Sequence, residues 1–97
     1  MQRQVEQLII TYLRGRQVKS GNLYTNDNDP LTLYSYGSHF PLAHLANDGT
    51  YHVNMAPTSV TTTRHRNMLL NQLTLAEHKI ERHNTTEQMR QAIEENN

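Results

Sequence analysis

The chain has no cysteine, no tryptophan and one phenylalanine among its 97 residues, with only four glycines and three prolines. Without cysteine there is no disulfide framework and no thiolate zinc site. No apolar run approaches the ~20 residues that a membrane-spanning helix requires. Charge of one sign is missing too: nine basic and nine acidic side chains give a formal net charge of +0. A protein that coats DNA would be strongly basic, and a DNA mimic would be strongly acidic. The N-terminus is amphipathic rather than a signal peptide, so a soluble cytoplasmic protein without a membrane partner is expected. Only 35% of residues are hydrophobic. That suits a single domain over 1–97 with a modest core, about 3–83. Such a chain is marginal unless it binds a partner or self-associates, for example as a homodimer. Histidine, by contrast, is plentiful: six residues whose charge should rise below pH ~6.5.

Val5, Leu8, Ile9, Tyr12 and Leu13 recur at spacings of three and four, predicting a helix over 2–19 with Gly21 as a stop. The run from Asn22 to Pro30, dense in Asn and Asp, reads as a surface loop. "LTLYSYG", Leu31 to Gly37, alternates like a strand. His39 to Met55 reads as a hairpin about Asp48-Gly49. A three-residue loop, Asn47 to Gly49, separates the faces better than a two-residue turn and puts Gly49 in the left-handed position. Ala43, Leu45, Tyr51 and Val53 then face the helix stripe, and His44 lies opposite His52 on the other face. A short strand is expected around Ser59 to Thr62. The spacing of Leu69, Leu73, Ala76 and Ile80 predicts a helix over 64–83, with a capping box at Thr74 and Glu77 offering a break. Asn84 and Glu87 fit the same box, so a peripheral last helix over 85–95 is expected, thin in apolar residues and open to fraying. The order is N-terminal helix, three- to four-stranded antiparallel meander and C-terminal helices, an α+β domain of two layers.

"SVTTTRHRN", Ser59 to Asn67, carries the densest chemistry. It falls where a strand is expected to hand over to a helix, and free N–H groups and the helix dipole there favour anions. Thr62 and Thr63 can cap the helix or share a phosphate. Arg64 and Arg66 can supply forked contacts around His65. Two cations at a helix N-terminus oppose its dipole, which points to an anion. The plain alternative is a capped helix with solvated arginines. His44 and His52 could hold a metal with His39 or His65 as a third ligand. No Cys pair or H-E-x-x-H supports that, so exposed or partner-facing imidazoles, no metal and no cofactor are expected. In "YSYGSHF", Tyr36 and His39 could line a pocket or stack on bases, while Tyr34 fits a half-buried strand position.

"YSYGSHFPLA", "DGTYHVN" and "SVTTTRHRN" together resemble a small uncharacterised domain of phages, plasmids and related mobile elements. The domain has a Tyr-x-Tyr-Gly-x-His-Phe-Pro strand, a Gly-Thr-Tyr-x-Val-Asn strand and a Ser-Val-Thr-Thr-x-Arg-His corner. The resemblance spans about Leu33 to Leu70. "NMAPTSV" departs from the more polar turn expected between the second and third pieces. The resemblance implies a mobile-element setting in the host cytoplasm. It also implies a shared polar site from Tyr36, His39, Tyr51, Asn54, Thr62, Thr63, Arg64 and His65. The leading expectation is a non-enzymatic module, with no catalytic residues, that recognises an anionic ligand or host nucleoprotein. A counter-defence inhibitor acting by protein contact and a small His-dependent nuclease or phosphodiesterase are the alternatives.

Overall fold

The computed structural model describes residues 2–20, 23–26, 29–35 and 40–95. Helix α1 spans Gln2–Leu13, and strands β1 to β4 span Leu23–Asn26, Asp29–Ser35, Pro41–Leu45 and Tyr51–Asn54. Helix α2 spans Val60–Leu75, β5 spans Ile80–His83 and α3 spans Thr86–Glu95. The sheet order follows the chain, β1-β2-β3-β4-β5. Its first three pairings are antiparallel, and β5 joins β4 in parallel. The α+β class, the N-terminal helix and the C-terminal helices are as the sequence leads one to expect.

Helix α1 buries Ile9 and Tyr12 and packs Val5, Leu8 and Leu13 against the same core. It ends at Leu13, the last residue of its apolar stripe, rather than running on to 19. Gly15, at φ +78°, takes the left-handed conformation that stops a helix. The chain beyond it runs extended: Val18 accepts from the N–H of Thr25 and gives its own N–H to the Thr25 hydroxyl. The Asn/Asp-rich stretch expected as a loop also supplies strand. Leu23 and Thr25 are buried in β1, and Asp29 and Pro30 open β2. The Asp29 carboxylate accepts from the Leu31 N–H and the Thr32 hydroxyl, so a turn-forming side chain anchors the strand start.

The β3–β4 hairpin adopts the three-residue register. Ala43 pairs with Val53, His44 with His52 and Leu45 with Tyr51. Ala46 N–H donates to Thr50 O at 2.9 Å, and Gly49 sits at φ +88°. Ala43, Tyr51 and Val53 thereby join Ile9, Tyr12, Leu69 and Leu73 in one core.

The strand expected around Ser59 to Thr62 is the cap and first turn of α2. Ser59 is the N-cap, its hydroxyl accepting the Thr62 N–H at 3.2 Å. The buried positions 62, 65, 66, 69 and 73 form a helical stripe. Its first three members are polar, so an apolar count cannot see it. Helix α2 also stops at Leu75 rather than running to His83. Glu77 takes φ +58°, its N–H donates to Thr74 O, and His78 N–H donates to Leu73 O, a Schellman ending. The chain then returns as β5, Tyr51 beside Ile80 and His52 beside Glu81.

Alternation along β4 turns His52 and Asn54 to the face opposite Tyr51 and Val53. Helix α3 covers that second face, touching β3, β4 and β5. Its thin stripe suffices: Met89 is fully buried and Ala92 nearly so. The capping pair is Thr85 with Gln88 rather than Asn84 with Glu87.

Ile9 is fully buried at the centre of the α1–sheet contact. Ile9→Ala should therefore lower the unfolding free energy by about 2–5 kcal/mol, read by urea denaturation. A near-neutral result would place Ile9 outside the core.

Candidate functional site

The Thr-Arg-His segment divides between interior and solvent according to helical period. Thr62, His65 and Arg66 face inward, Thr63 is half-buried and Arg64 is exposed. The Arg66 Nη1 donates at 2.9 Å to both Asn54 O and Ala56 O. Its guanidinium thus ties α2 to the end of β4, and its Nε has no partner among the described residues. Burial pushes its pKa down from the usual arginine range. Of the two arginines expected to make forked contacts to an anion, or else to be solvated, Arg66 is instead a buried strut.

Thr62 and His65 meet Ser35 of β2, which also points to the helix layer. Ser35 Oγ lies 3.1 Å from Thr62 Oγ1 and 3.1 Å from His65 Nδ1. Ser59 Oγ donates to Thr62 Oγ1 at 3.1 Å. One consistent ordering passes protons from Ser59 to Thr62 to Ser35 to the His65 ring. Burial lowers the His65 pKa, favouring the neutral imidazole.

Of the remaining expected site residues, Tyr51 and Asn54 turn their side chains elsewhere. Tyr51 is a core residue, edge-on to Tyr12 at 6.2 Å and to His78 at 5.0 Å. Asn54 reaches the corner only through its carbonyl. Its side chain accepts from Ala56 N–H and donates to Thr86 Oγ1 of α3. Tyr36 and His39 lie outside the described residues.

A pocket of about 310 Å³ opens beside the first turn of α2, lined by Ser35, Phe40, Thr58, Ser59, Thr61 and Thr62. Among the described residues no acidic side chain lines it, and the first turn of α2 contains none. Ser59 satisfies the N–H groups of Thr62 and Thr63. The first two N–H groups of a helix have no partner within it, and here they belong to Val60 and Thr61. Arg64 stands one turn further on, the exposed cation of this end.

The second constellation lies on the α3 face. The register aligns Thr32, His44, His52 and Glu81 across four adjacent strands. Both imidazoles are buried, not exposed. The Thr32 hydroxyl donates to Asp29 at 3.0 Å, so it accepts from His44 Nδ1 at 2.7 Å. His44 Nε2 is then a buried acceptor without a partner among the described residues. Burial lowers the His44 pKa, opposed by Asp29 and aided by His52. Sequence reasoning paired His44 with His52 but missed what completes the group. His52 Nδ1 lies 2.8 Å from His83 Nε2 and 3.1 Å from Glu81 Oε2, and His83 Nε2 lies 3.4 Å from that oxygen. Burial and the neighbouring His52 lower the His83 pKa, with Glu81 opposing. The signal was the Glu-x-His spacing in "IERH", which places both side chains on one face of a strand but not of a helix.

Against family models, curated proteins and solved structures, the chain has no match.

The burial of these polar groups leads to two predictions. Arg66→Met keeps the apolar stem but strands two buried carbonyls, so it should cost about 1.5–3 kcal/mol. Arg64→Ala should stay within about 0.5 kcal/mol. Equal effects in denaturant melts would contradict this division. His44 and His65 both have depressed pKa values, so below about pH 6.5 the unfolded chain takes protons that the fold refuses. Stability should be flat above about pH 7.5 and fall with acid until the folded-state values are passed. Thermal melts in buffer containing chelator should show Tm falling from pH ~7 to ~5, with a shallower fall in His65→Gln. A level or rising Tm would contradict the burial of neutral rings.

Proposed function

We propose that this chain is a small, non-enzymatic binding module that takes an anionic ligand in the pocket at the N-terminal end of α2. The observation that carries this reading is the pocket's lining: hydroxyls beside a helix N-terminus, with no carboxylate among the described lining residues. The N–H groups of Val60 and Thr61 and the positive end of the helix dipole favour a phosphate there. Side chains on a helix lean toward its N-terminus, so Arg64 can extend over the pocket from one turn away. Phe40 supplies an apolar wall on which a base could stack. The ligand class is a nucleotide, a nucleic acid or a nucleoprotein. The mobile-element resemblance makes the setting that of an accessory protein in a host cytoplasm. Ser35 and His65 have the separation of a nucleophile–base pair. We read them as structural, because Ser35 is fully buried and also held by Thr62.

Titration of the 15N-labelled protein with inorganic phosphate, ATP and a short single-stranded DNA and RNA at low salt tests the reading. Amide shifts should centre on residues 59–64 and shrink as salt rises. Thr61→Asp separates binding from folding. An acid in the first turn should stabilise α2 by about 0.3–1 kcal/mol, yet repel the ligand and abolish those shifts. If no probe binds, or if Thr61→Asp binds as well as the native chain, the segment is a cap alone. Inhibition by protein contact then becomes the better reading.

A further inference from the structure

We propose a second site, on the opposite face of the sheet: His52, Glu81 and His83 form a binding site for one divalent first-row transition-metal ion of the zinc class. Three potential ligand atoms from two adjacent strands converge on one small volume, all within 4.8 Å of one another. The parallel β4–β5 register makes this happen. It sets His52 beside Glu81, and strand period two returns His83 to the same face. The two imidazoles lie 5.1 Å apart, nearly parallel at 18°, with nitrogens facing.

The donor set and spacing fit a metal. Bonds of about 2.0–2.2 Å in tetrahedral geometry hold donor atoms about 3.3–3.6 Å apart. The three separations here are 2.8, 3.1 and 3.4 Å. A small parting of the two rings would admit the ion in place of the proton they share. Two histidines and one carboxylate are a set used for zinc and for non-haem iron, with positions left open. Burial is graded to match: the His52 side chain is 6% exposed, His83 15% and Glu81 59%. The anchoring ligand is thus fixed by the fold, while the carboxylate meets solvent. An open pocket of about 560 Å³ begins at these residues and is walled on its far side by Gln88, Gln91 and Glu95 of α3. Water or a small ligand can complete the coordination there. This site shares no side chain with the anion pocket and is independent of that reading.

The test uses tag-free protein stripped with chelator. Isothermal titration with Zn2+ should show saturable binding of about one ion per chain and a Tm that rises with added metal. Co2+ should give a visible d–d spectrum. Glu81→Gln changes an exposed side chain, so the fold should persist by circular dichroism. Its Zn2+ affinity should nevertheless fall by more than about tenfold, since losing even an outer-shell partner costs about 10–100-fold. His83→Gln should do the same, while His78→Gln, an exposed histidine on the loop before β5, should bind like the native chain. No saturable binding to the native protein would overturn the proposal. So would unchanged affinity in Glu81→Gln and His83→Gln, or an equal loss in His78→Gln.

Discussion

The turn at Asn47 to Gly49 sets the register on which the rest of the molecule depends. With Gly49 in the left-handed region, β3 and β4 pair so that each strand sorts its side chains cleanly between two faces. Strand β4 is buried throughout and hydrogen-bonded on both edges. Tyr51 and Val53 meet α1 and α2, and His52 and Asn54 meet α3. A one-residue slip of β4 would push His52 and Asn54 into the apolar layer and carry Tyr51 and Val53 out of it. The polar face would then lose the alignment that brings His52 beside Glu81.

With so few apolar side chains, the fold completes its interior with polar ones. Thr62, His65 and Arg66 occupy the first turns of the α2 stripe, and Leu69 and Leu73 the last. Buried polar groups cost stability unless they are hydrogen-bonded. Here Arg66 bonds two carbonyls, Thr62 and His65 bond Ser35, and Asn54 bonds Ala56 and Thr86, while Arg66 Nε and His44 Nε2 have no partner among the described residues. These bonds also fix where α2 begins, because Ser35 and the end of β4 lie on the sheet. The same interior explains why, of the arginines and histidine in this motif, Arg64 alone faces solvent.

The hairpin and the α1 stripe were legible because apolar period and turn chemistry agree there. The start of α2 was not. Thr61 to Thr63 are β-branched and suit a strand locally, and only tertiary burial of Thr62, His65 and Arg66 makes them helical. Strand β5 was hidden for the converse reason: Ile80 continues the spacing of Leu69, Leu73 and Ala76, and nothing local announces the left-handed Glu77 that ends the helix. Parallel pairing of β4 with β5 joins residues about thirty positions apart, which no local pattern encodes. The site residues followed these errors. His52 lies in the legible hairpin, whereas the apolar period places Glu81 and His83 on a helix, where an i, i+2 pair points in different directions.

The central claim is that β4 presents two chemically different buried faces. A nuclear Overhauser experiment on selectively labelled protein at neutral pH, with chelator present, tests it most directly. Cross-peaks should join the ring protons of His52 and His83, while the Val53 methyls meet protons of the α1 and α2 layer. Cross-peaks from the His52 ring to Leu69 or Ile9 methyls, with none to His83, would contradict the register and the account built on it.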